Sequence, residues 1–324
     1  MSTYQELLAR IAAEPDNDEP RLVCADVLRG TDDARADLIQ TQVALRGRLD
    51  PAQRRALRLE EARLLTANAS RWTQPLAALR APDVRFSRGF IEELSLSEEQ
   101  LEKHGEELLA LEPVHRLTVT TRDGKGLARA AGRPRFSQVR WLRLEGGAVA
   151  AAVRALASAS HVGALGGLAL SGADDEALQA LARSPALVGL RSLSASSSEL
   201  SDTAALALAD GTLALERLYL SGTGLSDEGA QALARAKGLT PLKLLALNRN
   251  ALSDEGAQAL AASKTLTSLE RLELSGNELS EEGALAFRSP KALPKLRRLE
   301  LLAMDLDRRE LEPVRKRLGP GLRL

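Results

Sequence analysis

Three stretches of this sequence are nearly interchangeable. Residues 215–241 read LERLYLSGTGLSDEGAQALARAKGLTP, 242–268 read LKLLALNRNALSDEGAQALAASKTLTS, 269–295 read LERLELSGNELSEEGALAFRSPKALPK, and LRRLEL restarts the pattern at Leu296. A unit of 27 residues is too short to enclose a core. It must bury its apolar side against copies of itself, and the result is a stacked solenoid.

With that register in hand, the phrase apolar-x-x-apolar-x-apolar can be followed backwards. It starts at Ile91, Val114, Val139, Leu165, Leu190, Leu215, Leu242, Leu269 and Leu296, with separations of 23 to 27 residues, loose early and regular late. Alternation within the phrase predicts a short strand with its Leu side chains on one face. The LSDEGAQALA run that follows predicts the return helix. Ser226, Ser253 and Ser280 stand at its N-cap, and acidic residues such as Asp227, Glu228, Asp254 and Glu255 fill its first turn. Leu233 and Leu260 face inward. Gly229, Gly256 and Gly283 sit inside the helices, where Gly costs about 1 kcal/mol relative to Ala, and a close helix-to-sheet approach is the expected reason. Parallel strands joined by helices coil right-handedly, with the sheet lining the inside of the arc. Asn250 and Asn277 are read as satisfying turn backbone, with a weaker ladder expected where Thr223 and Ser198 replace Asn at the matching positions.

This pattern resembles the leucine-rich repeat of the ribonuclease-inhibitor type. The resemblance implies about nine repeats over residues 81–306, and the departure from consensus in LDRRELEPVRKRLGPGLRL implies a C-terminal cap over 307–324. Arg308, Arg309, Glu310, Arg315, Lys316 and Arg317 suit its polar outer face.

Residues 1–80 have a different character. Tyr4, Leu7, Leu8 and Ile11, then Leu22, Val23, Val27 and Leu28, then Leu38, Ile39, Val43 and Leu45 recur at helical spacing. A fourth helix opens with Asp50 as cap and Pro51 in first position, and carries Leu57, Leu64 and Leu65. The run ELLARIAAEPDNDEPRLVCADVLRGTDDARADLIQTQ resembles a short companion domain that precedes leucine-rich repeats in many bacterial proteins. The match rests on residues including Leu7, Ile11, Pro15, Pro20, Arg21, Asp26, Asp33, Arg35, Ile39 and Gln42. Cys24 and Val27 stand where such domains usually carry Tyr and Trp. RFSRGFIEELSLS, residues 85–97, looks like the junction into the first repeat. The resemblance implies no catalytic activity. The fold class is therefore α/β: a right-handed solenoid with a parallel sheet on its concave face and helices outside, preceded by a small all-helical N-terminal domain.

Signals for chemistry are sparse. His104, His115 and His161 have no ligand spacing, and the single Cys24 leaves no thiol pair for zinc or a disulfide. These histidines are read as surface or satisfied residues, and Cys24 as core. Arg122, Asp123, Gly124, Lys125 and Gly126 lack the P-loop spacing and are read as a loop. Glutamates crowd residues 91–112 (Glu92, Glu93, Glu98, Glu99, Glu102, Glu106, Glu107 and Glu112) and are read as a solvated acidic face. No catalytic, cofactor or metal site is expected. The start of the sequence lacks a basic region followed by an apolar core, and no apolar run reaches membrane-spanning length, so a cytoplasmic protein is expected. A formal net charge of +0 from 44 basic and 44 acidic residues points away from nucleic acid and anionic membrane.

The third and fifth positions of each phrase face away from the Leu core. Those expected to hold a protein partner are Trp141, Arg143, Ser192, Ser194, Arg217, Tyr219, Leu244, Arg271 and Arg298. Two repeats with small residues lie between Trp141 and Tyr219. At ~4.8 Å per strand the aromatics stand ~14 Å apart. Trp, Tyr and Arg are the residue types enriched in binding hot spots. A second reading is a regulator of a small GTPase or another nucleotide switch, with Arg249 between Asn248 and Asn250 as its edge-loop residue.

Overall fold

The computed structural model describes residues 3–79 and 83–324; the boundary expected between residues 80 and 81 falls outside the described residues. Four helices open the chain: α1 (Tyr4–Ala13), α2 (Glu19–Leu28), α3 (Asp33–Ala44) and α4 (Pro51–Thr73). Reciprocal capping boxes, Thr3 with Glu6 and Asp50 with Gln53, start α1 and α4, and Pro51 begins α4 where its missing N–H is of no consequence. In α2 the structure corrects the expected apolar stripe. Leu22, Val23 and Val27 are exposed, and the buried face is Pro20, Arg21, Cys24 and Ala25. Arg21 claims that face because its guanidinium meets the Glu92 carboxylate at 2.8 Å. Cys24 is fully buried, and burial pushes its thiol up to about 11, so it packs as a protonated side chain.

One sheet of 11 strands, in sequence order, runs the rest of the chain. β1 (Asp83–Ser87) and β2 (Phe90–Ser97) form an antiparallel hairpin. Its two-residue turn places both Arg88 and Gly89 at positive φ, +50° and +87°, the geometry that matches strand twist. At Gly89 a Cβ would run into Ile39 of α3. From β2 onward every pairing is parallel: β3 (Arg116–Thr121), β4 (Trp141–Gly146), β5 (Gly167–Leu170), β6 (Ser192–Ser194), β7 (Arg217–Tyr219), β8 (Leu244–Ala246), β9 (Arg271–Glu273), β10 (Arg298–Glu300) and β11 (Leu322–Arg323). The inward column Leu94, Leu117, Leu142, Leu168, Leu193, Leu218, Leu245, Leu272 and Leu299 is buried throughout. The return helices are α5 (Glu98–Leu111), α6 (Lys125–Ala131), α7 (Val149–Leu156), α8 (Asp175–Ala182), α9 (Asp202–Asp210), α10 (Asp227–Arg235), α11 (Asp254–Ala261), α12 (Glu281–Leu285) and α13 (Glu312–Leu318).

In the later repeats, side chains bond the backbone of the neighbouring repeat in the turn after the strand and at the start of the helix. Asn250 accepts from the Thr223, Gly224 and Leu225 N–H groups and donates to the Leu220 and Leu247 carbonyls, and Asn277 repeats the arrangement one layer on. At the helix starts, Asp202 accepts from the Ser226 and Gly229 N–H groups, Asp227 from Ser253 and Gly256, and Asp254 from Ser280 and Gly283. This replaces the expected reason for the Gly column. At Gly229, Gly256 and Gly283 a Cβ would collide with the carboxylate of the preceding repeat, not with the sheet.

The acidic cluster is also redistributed. Glu92, Glu98 and Glu112 are 6%, 4% and 7% exposed, against the solvated face expected of them. The Glu98 carboxylate accepts from the Arg122, Asp123, Gly124 and Leu127 N–H groups at 2.8–3.2 Å. Of the run read as a loop, Arg122–Gly124 form the turn and Lys125 opens α6, and the bare N–H groups of this turn and helix start are filled by the protein's own carboxylate. Glu112 takes a two-pronged bond from Arg35 (2.7 and 2.8 Å) and the Ile91 N–H. Glu92 holds Arg21 and, at 2.6 Å, Arg88. These buried pairs fasten the helical region to the first repeats. At the other end Arg317, expected on the outer face, folds back onto the carbonyls of Phe287, Ala292 and Leu293; carbonyls with no following repeat to pair with give it a reason to turn inward.

Candidate protein-binding face

The pairing register assembles two rows across the concave side. The first runs Glu93, Arg116, Trp141, Gly167, Ser192, Arg217, Leu244, Arg271 and Arg298, and the second Ser95, Thr118, Arg143, Ala169, Ser194, Tyr219, Ala246, Glu273 and Glu300. Within these rows the residues differ in availability. Arg143 and Arg217 are exposed, and neither has an ion pair among the described residues. Trp141, Ser194, Tyr219 and Leu244 are half-buried. Arg271 and Arg298 are spoken for: Glu300 meets them at 2.8 and 2.6 Å, and Glu273 meets Arg271 at 2.6 Å. Ser192 was expected to face solvent but is buried, without a hydrogen-bond partner for its Oγ among the described residues. A short side chain in a row with longer ones is shaded by them.

Trp141 has a built seat. Its indole lies across Gly167 on the next strand, where a Cβ would overlap the ring, and the Arg116 guanidinium stands 5.5 Å from the ring centre. Gly167 is therefore what allows the aromatic to lie along the sheet, a role that spacing alone did not reveal.

The helical region walls one side of this face. Between its Ala13–Asp16 turn and strands β2 to β7 lies a cleft of about 880 Å³. Arg46, Arg88, Arg116, Arg140 and Arg217 line it together with Asp16, Glu92, Glu93, His115 and Trp141. His115 is 5% exposed and its Nε2 has no partner among the described residues, so it is neither a surface nor a fully satisfied histidine. Burial pushes its pKa below the ordinary imidazole range. Sequence reasoning missed this cleft because His115 and Arg140 hold the second position of their phrases, where the repeat fixes no residue type.

Arg249 lies in the exposed turn after β8 at φ +55°. Ser197, Gly222, Gly276 and Ala303 take the same left-handed conformation in their own repeats, so the geometry belongs to the turn. Of its neighbours, Asn248 bonds Glu273 and the Ser275 N–H, and Asn250 serves the ladder described above. His104, in α5, and His161, after α7, stand apart from His115. Among the described residues no group of three His, Cys, Asp or Glu side chains is arranged to hold a metal. Also among them, no helix is long and apolar enough to cross a membrane.

The Leucine Rich repeat family matches residues 215–234, 238–261 and 265–287. No curated protein sequence matches the chain. Similar solved structures include an internalin from Listeria monocytogenes (21% identity, 63% of this chain and 53% of that one, TM-score 0.44). The Rad7 and Elc1 complex of yeast (17%, 99% and 92%, 0.48) and a Bacteroides fragilis protein (15%, 82% and 82%, 0.47) are others. This chain thus spans about half of the internalin chain it matches. Residues 215–287 carry leucine-rich repeats, and the chain's parallel strands and return helices stack into a right-handed solenoid behind a helical N-terminal region.

Proposed function

We propose that the protein is a non-enzymatic scaffold that binds a protein partner on its concave face. The observation that supports this most directly is the grouping of Trp141, Arg143, Arg217 and Tyr219 in adjacent rows of one open sheet, with both arginines free of ion pairs among the described residues. Planar aromatic and guanidinium groups offer large contact areas at small entropic cost, and they dominate measured hot spots. Leu244 and Ser194 extend the surface, whereas Arg271 and Arg298, each already paired, stand at its margin.

Under this reading residues 1–80 form an N-terminal capping domain like the companion domain of bacterial repeat proteins, residues 81–306 the array, and residues 307–324 its C-terminal cap. The location is cytoplasmic. Nucleic acid is disfavoured by the acidic partners of the arginines at the far end of the rows, Glu273 and Glu300.

The test is capture of the native partner by the folded chain and by the Trp141→Ala/Tyr219→Ala double variant. Capture is expected to fall by tenfold or more, the size of effect seen for central aromatic residues. Equal capture by a double variant whose circular dichroism is native would remove these residues from the interface.

A further inference from the structure

The cleft between the helical region and the concave face has a chemistry more specific than the face as a whole. Several of its charges are internally matched: Arg88 with Glu92 at 2.6 Å, Arg46 with Asp18 at 2.7 Å, and Arg116 within 3.6 Å of Glu93. Arg140 and Arg217 have no carboxylate partner among the described residues. The Arg140 side chain makes only 3.4 Å contacts with the Ala164 and Ala13 carbonyls, and its Nε is buried without a partner.

His115 supplies an independent pointer. Its Nδ1 faces the Gln138 carbonyl at 3.4 Å, so a neutral ring keeps its proton there and presents Nε2 as a bare acceptor. That acceptor belongs to a side chain lining the cleft, 5% exposed and unsatisfied. Buried polar atoms in native proteins are rarely left without partners.

We propose that the cleft receives an acidic segment of the partner polypeptide, with a carboxylate between Arg140 and Arg217 and a donor N–H of the same segment on His115 Nε2. This rests on the reading of the concave face as a protein-binding surface and names the chemistry of what binds there. A peptide carries carboxylates and N–H donors together, and this site asks for both. A phosphodiester chain offers acceptors in a dense row and meets Asp16 and Glu93 on the same walls. The Trp141 indole gives the aliphatic part of a Glu side chain an apolar surface to lie on.

The experiment uses the full chain and a fluorescein-labelled peptide of alternating Glu and Gly, followed by anisotropy at low salt. A Lys–Gly peptide and an oligothymidylate of matched length serve as competitors. Arg217→Glu and Arg140→Gln are each expected to weaken the acidic peptide by about tenfold or more. Lys264→Glu, after α11 and outside the face, is expected to leave affinity unchanged. The His115 ring resonance, one of three histidine signals and identified by its loss in His115→Gln, is expected to shift on titration. Binding of the Lys–Gly peptide with equal affinity, indifference to both arginine substitutions, or tighter arginine-dependent binding of the oligothymidylate would each overturn the proposal. Failure here is separable from failure of the face itself, because Tyr219 does not line the cleft. Partner capture lost in Tyr219→Ala but kept in Arg217→Glu sinks the cleft alone, and capture kept in both sinks the wider reading.

Discussion

Replacing Gly256 by Ala is predicted to be destabilising, although the position is inside a helix. Helix propensity favours Ala over Gly by about 1 kcal/mol. The obstacle is the Asp227 carboxylate of the preceding repeat, whose Oδ1 occupies the place of the new Cβ. That carboxylate accepts from the Ser253 N–H at 2.8 Å, the Gly256 N–H at 2.9 Å and the Ser253 hydroxyl at 2.5 Å. Displacing it forfeits the two backbone bonds, each about 1 kcal/mol net, so the single variant loses about 1 kcal/mol overall. Asp227→Ala alone is expected to cost about 2 kcal/mol, the upper range for a lost helix cap. In that background Gly256→Ala changes sign and stabilises by up to about 1 kcal/mol, because the next contact, with the Ala230 Cβ at 3.3 Å, needs only a small adjustment. The coupling between the two sites is then about 2 kcal/mol, within the range found for residues in contact. Urea unfolding followed by far-ultraviolet circular dichroism on the four members of the cycle measures it. A Gly256→Ala variant more stable than the native chain, or equally harmful in both backgrounds, would refute the account of the Gly column.

The same reasoning yields shorter predictions. Burial alone would raise the Glu98 carboxyl, but its four backbone N–H partners hold it below the usual range. Its stabilisation is therefore complete above the unfolded value near 4.5 and lost as pH falls through the lower folded value. Glu98→Gln is expected to cost about 2 kcal/mol at neutral pH and to flatten the loss of stability below pH 4.5, read from urea midpoints at several pH values. Arg35→Met leaves Glu112 buried without its guanidinium and is expected to cost about 3–5 kcal/mol, most of it recovered by adding Glu112→Leu. Faster proteolysis of the helical region in the single variant, and protection in the double, checks this. Gly167→Leu is expected to evict the Trp141 indole from its seat and shift tryptophan emission to longer wavelength, while Trp72 stays buried; an unchanged spectrum would refute the seat.

The sequence alone sufficed for the array because each phrase carries its own period. LxxLxL alternates at the strand repeat, the Ser–acid pair starts a helix, and the same offsets recur until they calibrate the irregular repeats upstream. The rows of the concave face follow from that register, which sets Trp141 and Arg217 in one row of the same side. The positions that the phrase leaves unspecified were not legible in this way. His115 and Arg140 hold the second position of their phrases, and their convergence with the Ala13–Asp16 turn depends on how the helical region docks. The stripe of Leu22, Val23 and Val27 misled for a related reason. Its helical spacing was correct, but the face of α2 that turns inward is chosen by the Arg21–Glu92 pair, whose members are 71 residues apart.

By itself, then, the sequence determined the local elements, their order and their register, since these depend on propensity, capping and a period that any one repeat displays. Only the tertiary structure decided which glutamates are solvated and which hold the fold together, why the helix glycines cannot be alanines, and where the arginines remain unpaired. Those outcomes depend on what stands opposite each side chain in the next layer, and a carboxylate's role is set by its partners.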